Sequence, residues 1–267
     1  MPHTVVPNGW GLGPWGTGAW VSPTLVAGGA LPTEAPFDIY CIEEANMPGL
    51  LTHPEVSYIG DPTQVFVDVP TDMMVLASGG PYLSDLARIE YNTIVPLTFT
   101  LELVLFLDQL PSNFANLQDR HCFVGITDAQ GVSIGLFLSE IGVLYTSAVH
   151  FSGNNVVLDG PTQLLPNSQT LITLGDYYTL RLATSFATGA TYIYWTKSTD
   201  VPVTGHQLRY VLPAFLSADA VTLPPDRTTF SVRGTLADPT ILGLHTTCLG
   251  TGLIVPNLLP RADAGPD

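Results

Sequence analysis

Six histidines, three cysteines and two glycine-rich motifs are where this 267-residue chain could do chemistry. His3, His53, His121, His150, His206 and His245 lie far apart with no H-x-H or H-x-x-x-H spacing, so nothing local predicts a zinc site or a catalytic dyad. "GLGPWG" (Gly11, Gly13, Gly16) satisfies G-x-G-x-x-G. A dinucleotide-binding turn needs a strand before it and a helix after it, and Pro14 interrupts both readings. "GVSIG" (Gly131, Ser133, Gly135) satisfies G-x-S-x-G. A nucleophile elbow requires a strand-to-helix turn, whereas alternating apolar residues run straight on here, which predicts a strand position for Ser133. Cys41, Cys122 and Cys248 are odd in number and widely spaced. They fit neither a disulfide framework nor a zinc site, and buried free thiols are expected. No E-x-D-x-x-E strand for polysaccharide cleavage is present. The expectation is a protein that is not an enzyme, with no catalytic residues, no metal ligands and no cofactor.

Saccharide binding asks for different groups: aromatic faces beside Asp and Asn, often with calcium at the loop end of a sandwich. Tyr192, Tyr194 and Trp195 supply rings, and Asn154, Asn155, Asp159 and Asp128 supply polar groups. A strand puts Tyr192 and Tyr194 on one face and Trp195 on the other, so all three cannot line one site. The ligand-facing candidates are therefore Tyr192, Tyr194, Asn154, Asn155 and Asp159, each with packing or turn formation as the plainer role.

The elements that would position these groups are strands. In "PLTFTLELVLFLD", Leu97, Phe99, Leu101, Leu103, Leu105 and Leu107 share one face, and Thr98, Thr100, Glu102, Val104, Phe106 and Asp108 share the other. The same period marks residues 63–70, 121–128, 132–139, 142–149, 170–175, 177–184, 191–198, 208–214 and 228–234. Turn residues stand between them at 128–131, 140–142, 152–155 and 188–189. Only "LSDLARIE" (83–90) suggests a short helix. So many strands with almost no helix predict an all-β fold of two antiparallel sheets packed face to face.

Composition narrows the partners. Net charge is −15 with one lysine, Lys197, and seven arginines met singly along the chain, which argues against nucleic acid and an anionic membrane surface. The longest apolar stretch, 95–107, is broken by Pro96, Thr98, Thr100 and Glu102, so it is not a membrane span. No basic segment followed by an apolar one opens the chain, so no secretory leader is expected. Gly (25) and Pro (23) are abundant, but short of a low-complexity composition.

The run "CFVGITDAQGVSIGLFLSEIGVLYTS", followed by "GDYYTLRLATSFATGATYIYWTKS", resembles the concanavalin A-like (laminin G-like) jelly roll over residues 62–235. The "GWG…PWG" segment near the N-terminus resembles openings of some bacteriophage tail proteins. "PRADAGPD" (260–267) resembles the lead-in to a PKD/Ig-like module, implying a further domain. The jelly-roll resemblance implies residues 62–235 as the sandwich, and the rest is expected to divide into an extended Gly/Pro/Trp docking arm (1–36), a connector (37–61), and a C-terminal strand and linker toward the further module (236–267).

Within the arm, Trp10, Trp15 and Trp20 sit five residues apart among very short side chains. Burying three indoles gains roughly 11–19 kcal/mol, and ordering twelve residues costs roughly 12–24 kcal/mol. Such an arm locks only where another surface offers pockets, so the three tryptophans are expected to be assembly anchors. The leading expectation is a structural component of a bacteriophage virion, in the tail or distal fibre apparatus. It would sit on an extracellular particle, as a homo-oligomer among other virion proteins, with a role in adhesion to a host surface glycan. The alternative is a carbohydrate-binding module of a secreted bacterial protein, with calcium as an accompanying ion.

Overall fold

The computed structural model describes residues 31–33, 36–47, 49–80, 86–152, 155–160, 162–165, 168, 172–197, 208–212 and 225–254. Within them the chain forms sixteen strands and three short 3-10 turns. The strands are β1 (Tyr40–Glu43), β2 (Val56–Ile59), β3 (Val65–Asp68), β4 (Met73–Ser78), β5 (Leu86–Asn92), β6 (Thr98–Gln109), β7 (His121–Thr127) and β8 (Val132–Ser139). They continue as β9 (Gly142–Ser152), β10 (Asn155–Leu158), β11 (Thr162–Leu164), β12 (Asp176–Ser185), β13 (Ala190–Lys197), β14 (Leu208–Leu212), β15 (Arg227–Arg233) and β16 (Thr240–Thr251).

All pairings are antiparallel, and they build two eight-stranded sheets. The first runs β14-β13-β12-β6-β16-β4-β3, with β1 also on β16; the second runs β10-β9-β8-β7-β15-β5-β2, with β11 also on β9. The long strand β16 is the spine of the first sheet. One of its edges pairs β6, and the other is shared by β4 (Thr240–Leu244) and β1 (Thr246–Leu249). This is the expected antiparallel two-sheet jelly-roll sandwich.

Period-two alternation decides what lies between the sheets. Phe99, Leu101, Leu103, Leu105 and Leu107 of β6 enter the core as expected, while Leu97 precedes the strand and stays 52 % exposed. On β13, Ile193 and Trp195 point inward, Trp195 stacking on Tyr178 at 4.9 Å and 27°, which leaves Tyr192 and Tyr194 on the outer face.

Four expectations need correction. The sandwich extends beyond 62–235, because β1, β2 and β16 all belong to it. Gly243, Gly250 and an extra residue at His245 blur the alternation that would have announced β16. The helix expected at 83–90 is strand β5 from Leu86 onward: Ala87, Ile89 and Tyr91 point into the core, and pairing with β15 and β2 overrides the helix preference of Leu, Ala and Arg. Residues 172–175 form a turn, not a strand, held by the Tyr178 hydroxyl, which accepts from Thr173 N–H (2.6 Å) and donates to the Thr173 carbonyl (3.1 Å). Finally, Cys41 and Cys248 are not free thiols. They stand directly opposite in the β1–β16 register and form a disulfide across a separation of 207 residues. Cys122 alone is a buried thiol, its pKa raised by desolvation.

Between the sheets lies one buried acid. Glu44, just after β1, accepts a hydrogen bond from the Tyr91 hydroxyl (2.5 Å), and burial pushes its pKa up to about 8. It is therefore a neutral carboxylic acid inside the folded protein at pH 7.

Candidate functional site

The outer face of the first sheet offers the chemistry. Across β12, β6, β16, β4 and β3 the register aligns Tyr177, Phe106, Gly243, Val75 and Phe66 in one row. Tyr177 and Phe106 are half-buried, with ring centroids 4.9 Å apart and tilted by 53°. Opposite Phe106 the row has no side chain: a Cβ on Gly243 would meet Met73 Sδ at 2.6 Å and Phe106 Cβ at 3.1 Å.

A bulge supplies the polar rim. The register of β16 shifts between Leu244 and Thr246, so His245 is an extra residue. Such bulges re-aim side chains, and His245 lands edge-on to Tyr177 (6.3 Å, 87°) with Nε2 3.4 Å from Asp72 Oδ2. Asp72 has a left-handed backbone (φ 58°), the one positive-φ non-glycine residue among those described. Desolvation, followed by the Asp72 charge, raises the Tyr177 pKa, which keeps its hydroxyl protonated as a donor. Two ring faces beside a hydroxyl, an imidazole and a carboxylate can hold a polar, ring-shaped ligand.

The far end of the same face is closed. Arg181 Nε donates to Glu102 (2.6 Å), and its Nη1 donates to the Ile254 carbonyl (3.0 Å). Phe37, Cys41, Cys248 and Ile254 pack together alongside. Tyr194 lies opposite Arg181 and is buried; Tyr192, opposite Ala183, is half-buried.

The residues singled out from sequence are not brought together. Tyr192 and Tyr194 belong to the first sheet, whereas Asn155 begins β10 and Asp159 follows it in the second. Asn154 lies outside the described residues, as do Trp10, Trp15, Trp20, His3, His206 and the 260–267 segment. Asp128 turns the β7–β8 connection, its Oδ1 accepting from the backbone N–H of Gln130 and Val132 (2.9 Å each). Among the described residues no three His, Cys, Asp or Glu side chains gather as a metal site. Ser133 is a strand residue as expected, bonded to Thr127 at 2.7 Å. Phe106 and Tyr177 were overlooked, although an aromatic on the Thr/Glu/Asp side of "TFTLELVLFLD" was a usable signal.

Among the described residues two hydroxyl–imidazole pairs lie within hydrogen-bonding distance: His245 Nδ1 with Thr246 Oγ1 (2.9 Å) and, deep in the fold, His121 with Ser231. The Leu117 carbonyl can only accept, so His121 carries its proton on Nδ1 (2.8 Å), and Nε2 accepts from the Ser231 hydroxyl (2.9 Å). Burial pushes the His121 pKa down to about 3, and both residues are sealed at 1 % and 0 % exposure. Phe123, Phe137 and Phe151 form a second apolar cluster around them, on the outer face of the second sheet. The pair is structural in this conformation.

No known protein family matches the chain, and no curated protein does. Solved structures do resemble it. One from a study of endo-acting O-glycanases that human gut microbiota express to initiate mucin breakdown superposes with TM-score 0.53 at 9 % identity, covering 80 % of this chain and 98 % of that one. Peanut lectin with a 9mer peptide gives 0.47 at 11 % identity (81 % and 97 % covered). Winged bean acidic lectin complexed with methyl-α-D-galactose gives 0.46 at 9 % (74 % and 93 %). At these identities the likeness shows the fold alone: an antiparallel two-sheet jelly-roll sandwich.

Proposed function

We propose that the protein is a glycan-binding module, and that a sugar ring stacks on Tyr177 and Phe106 while Asp72, His245 and the Tyr177 hydroxyl bond its hydroxyls. The observation that carries this reading is the half-buried ring pair, 4.9 Å apart, on the outer face of the first sheet beside the Asp72–His245 pair. The test is a glycan array on the whole chain, run with calcium and again with chelator, followed by calorimetry on each hit. Tyr177→Ala and Phe106→Ala are each expected to weaken binding at least tenfold with the near-ultraviolet spectrum otherwise preserved. A folded protein that retains no glycan, or hits indifferent to both substitutions, would overturn the assignment.

A second reading keeps the virion role for residues 1–36. Its root is fixed on the sandwich: Leu31 is buried in the core, and the Pro32 carbonyl accepts from Cys41 N–H at 2.6 Å. On this reading Trp10, Trp15 and Trp20 would serve as anchors of a docking arm within a larger particle. Deleting residues 1–30 is expected to leave the sandwich folded and abolish self-association in sedimentation; a full-length chain that is already monomeric would remove this reading.

A further inference from the structure

The arginines that look scattered in the sequence meet in the second sheet. Along β5 and β15 the register sets Ser231 opposite Arg88, Thr229 opposite Glu90, and Arg227 opposite Asn92. Alternation puts all six on the outer face, because Ala87, Ile89, Tyr91, Phe230 and Val232 point into the core.

Arg88 is the anomaly. It is only 8 % exposed, yet its side chain donates no hydrogen bond to any described residue. Its nearest carboxylate oxygen, Glu90 Oε1, is 3.9 Å from Nη1, beyond hydrogen-bonding reach. Its Nε is sealed from solvent without an acceptor, and its guanidinium lies 4.7 Å from the centre of the Phe151 ring.

Glu90 cannot close the gap because it is shared. Its Oε2 is 3.7 Å from Arg227 Nε. Arg227 is itself anchored elsewhere, Nη2 donating to the Asp128 carbonyl at 2.7 Å and Nη1 lying 3.7 Å from Asp226. A buried cation stays buried only when its charge and its donors are met. Desolvation, with the neighbouring Arg227 charge, disfavours the charged form of Arg88, and Glu90 offsets that only in part.

We infer that Arg88 anchors an oxyanion site, taking the carboxylate or sulfate of an acidic sugar in a planar, two-point contact above the Phe151 ring. A guanidinium fork matches such a group in both charge and geometry. Ser57, opposite Glu90 on β2 and exposed, and the half-buried Asn92 lie on the same face and supply partners for sugar hydroxyls. This site is on the opposite side of the sandwich from the Tyr177–Phe106 row and shares no residue with it; the choice of a sugar to carry the anion rests on the glycan-binding reading, whereas sulfate alone tests the oxyanion site without it.

The test is calorimetry on the full chain at constant ionic strength with sodium glucuronate, glucose 6-sulfate, sodium sulfate and neutral glucose. Saturable binding of glucuronate, competed by sulfate and absent for glucose, is expected. Glucose 6-sulfate tells whether a sulfate ester serves as well as a carboxylate. Arg88→Lys keeps the charge but loses the fork, and is expected to weaken glucuronate at least tenfold. Should that variant fail to fold, the Arg88 Nε–H resonance of the unmodified protein is the readout, and it should move on glucuronate titration and not on glucose. No saturable response to either anion, glucose binding as well as glucuronate, an unmoved Nε–H signal, or undiminished binding by a folded Arg88→Lys protein would each overturn the site.

Discussion

Raising the pH from 6.5 to 8 should destabilise this protein, and a single carboxyl group should be the reason. Glu44 titrates near 4.5 when unfolded and at about 8 when folded, because burial beside Tyr91 disfavours its charge. The folded state therefore holds a proton that the unfolded state releases, and stability falls with rising pH by about 1.4 kcal/mol per unit between the two values. His121 acts in the opposite sense lower down. Its pKa falls from 6.5 unfolded to about 3 folded, so stability is lost as pH drops through that range. Between pH 4.5 and 6.5 the two slopes cancel, and from 6.5 to 8 Glu44 acts alone, costing about 2 kcal/mol. With a urea m-value of about 3 kcal/mol/M, the midpoint should drop by roughly 0.7 M. The assay is urea unfolding followed by tryptophan fluorescence at half-unit pH steps, on the unmodified chain and on Glu44→Gln. The variant should show no fall above 6.5 and an uncompensated rise from 3 to 6.5. A fall of equal size in both proteins would refute the argument, because the titrating group would then lie elsewhere.

Other consequences are as measurable. Unreduced, denatured protein should yield one titratable thiol, Cys122, and three after reduction; the Cys41→Ser, Cys248→Ser pair should lose up to about 5 kcal/mol through the 207-residue loop it reopens. Gly135→Ala should cost about 1–3 kcal/mol, since its Cβ would lie 2.3 Å from the Val124 carbonyl and 2.8 Å from the Phe123 ring. Arg181→Met should cost about 3–5 kcal/mol by leaving Glu102, 12 % exposed, without its cation. Adding Glu102→Gln should recover part of that loss, and urea midpoints of the single and double variants would measure it.

The sequence announces strands wherever one face is apolar and the other is not. Residues 132–139 were read to the residue, and the inward turn of Trp195 against the outward Tyr192 and Tyr194 followed from the same parity. Strand β5 was hidden because Arg88 and Glu90 sit where a short helix would also put charges. Gly135 looked like motif punctuation, but it faces Gly125 across β7 and β8, leaving a trough that the Phe123 ring fills. Neither candidate site was legible, because each joins residues distant in the chain: Asp72 with Tyr177 and His245, and Arg88 with Arg227. Register is a property of strand pairing, and no local spacing encodes it.

The Cys41–Cys248 bond sits where the polypeptide enters and leaves the sandwich, one register position inside Tyr40 and Leu249. Tension between the flanking segments would therefore load Leu31 and the Leu249–Thr251 end of β16, then run from one cysteine to the other, leaving the rest of the sheets unloaded. The segment between them, a sequence separation of 207, holds roughly 700 Å of extensible chain in reserve, and none of it can be drawn out while the sulfurs stay joined. Under such a pull, the part of the sandwich between the two cysteines would hang as a pendant while the bond holds.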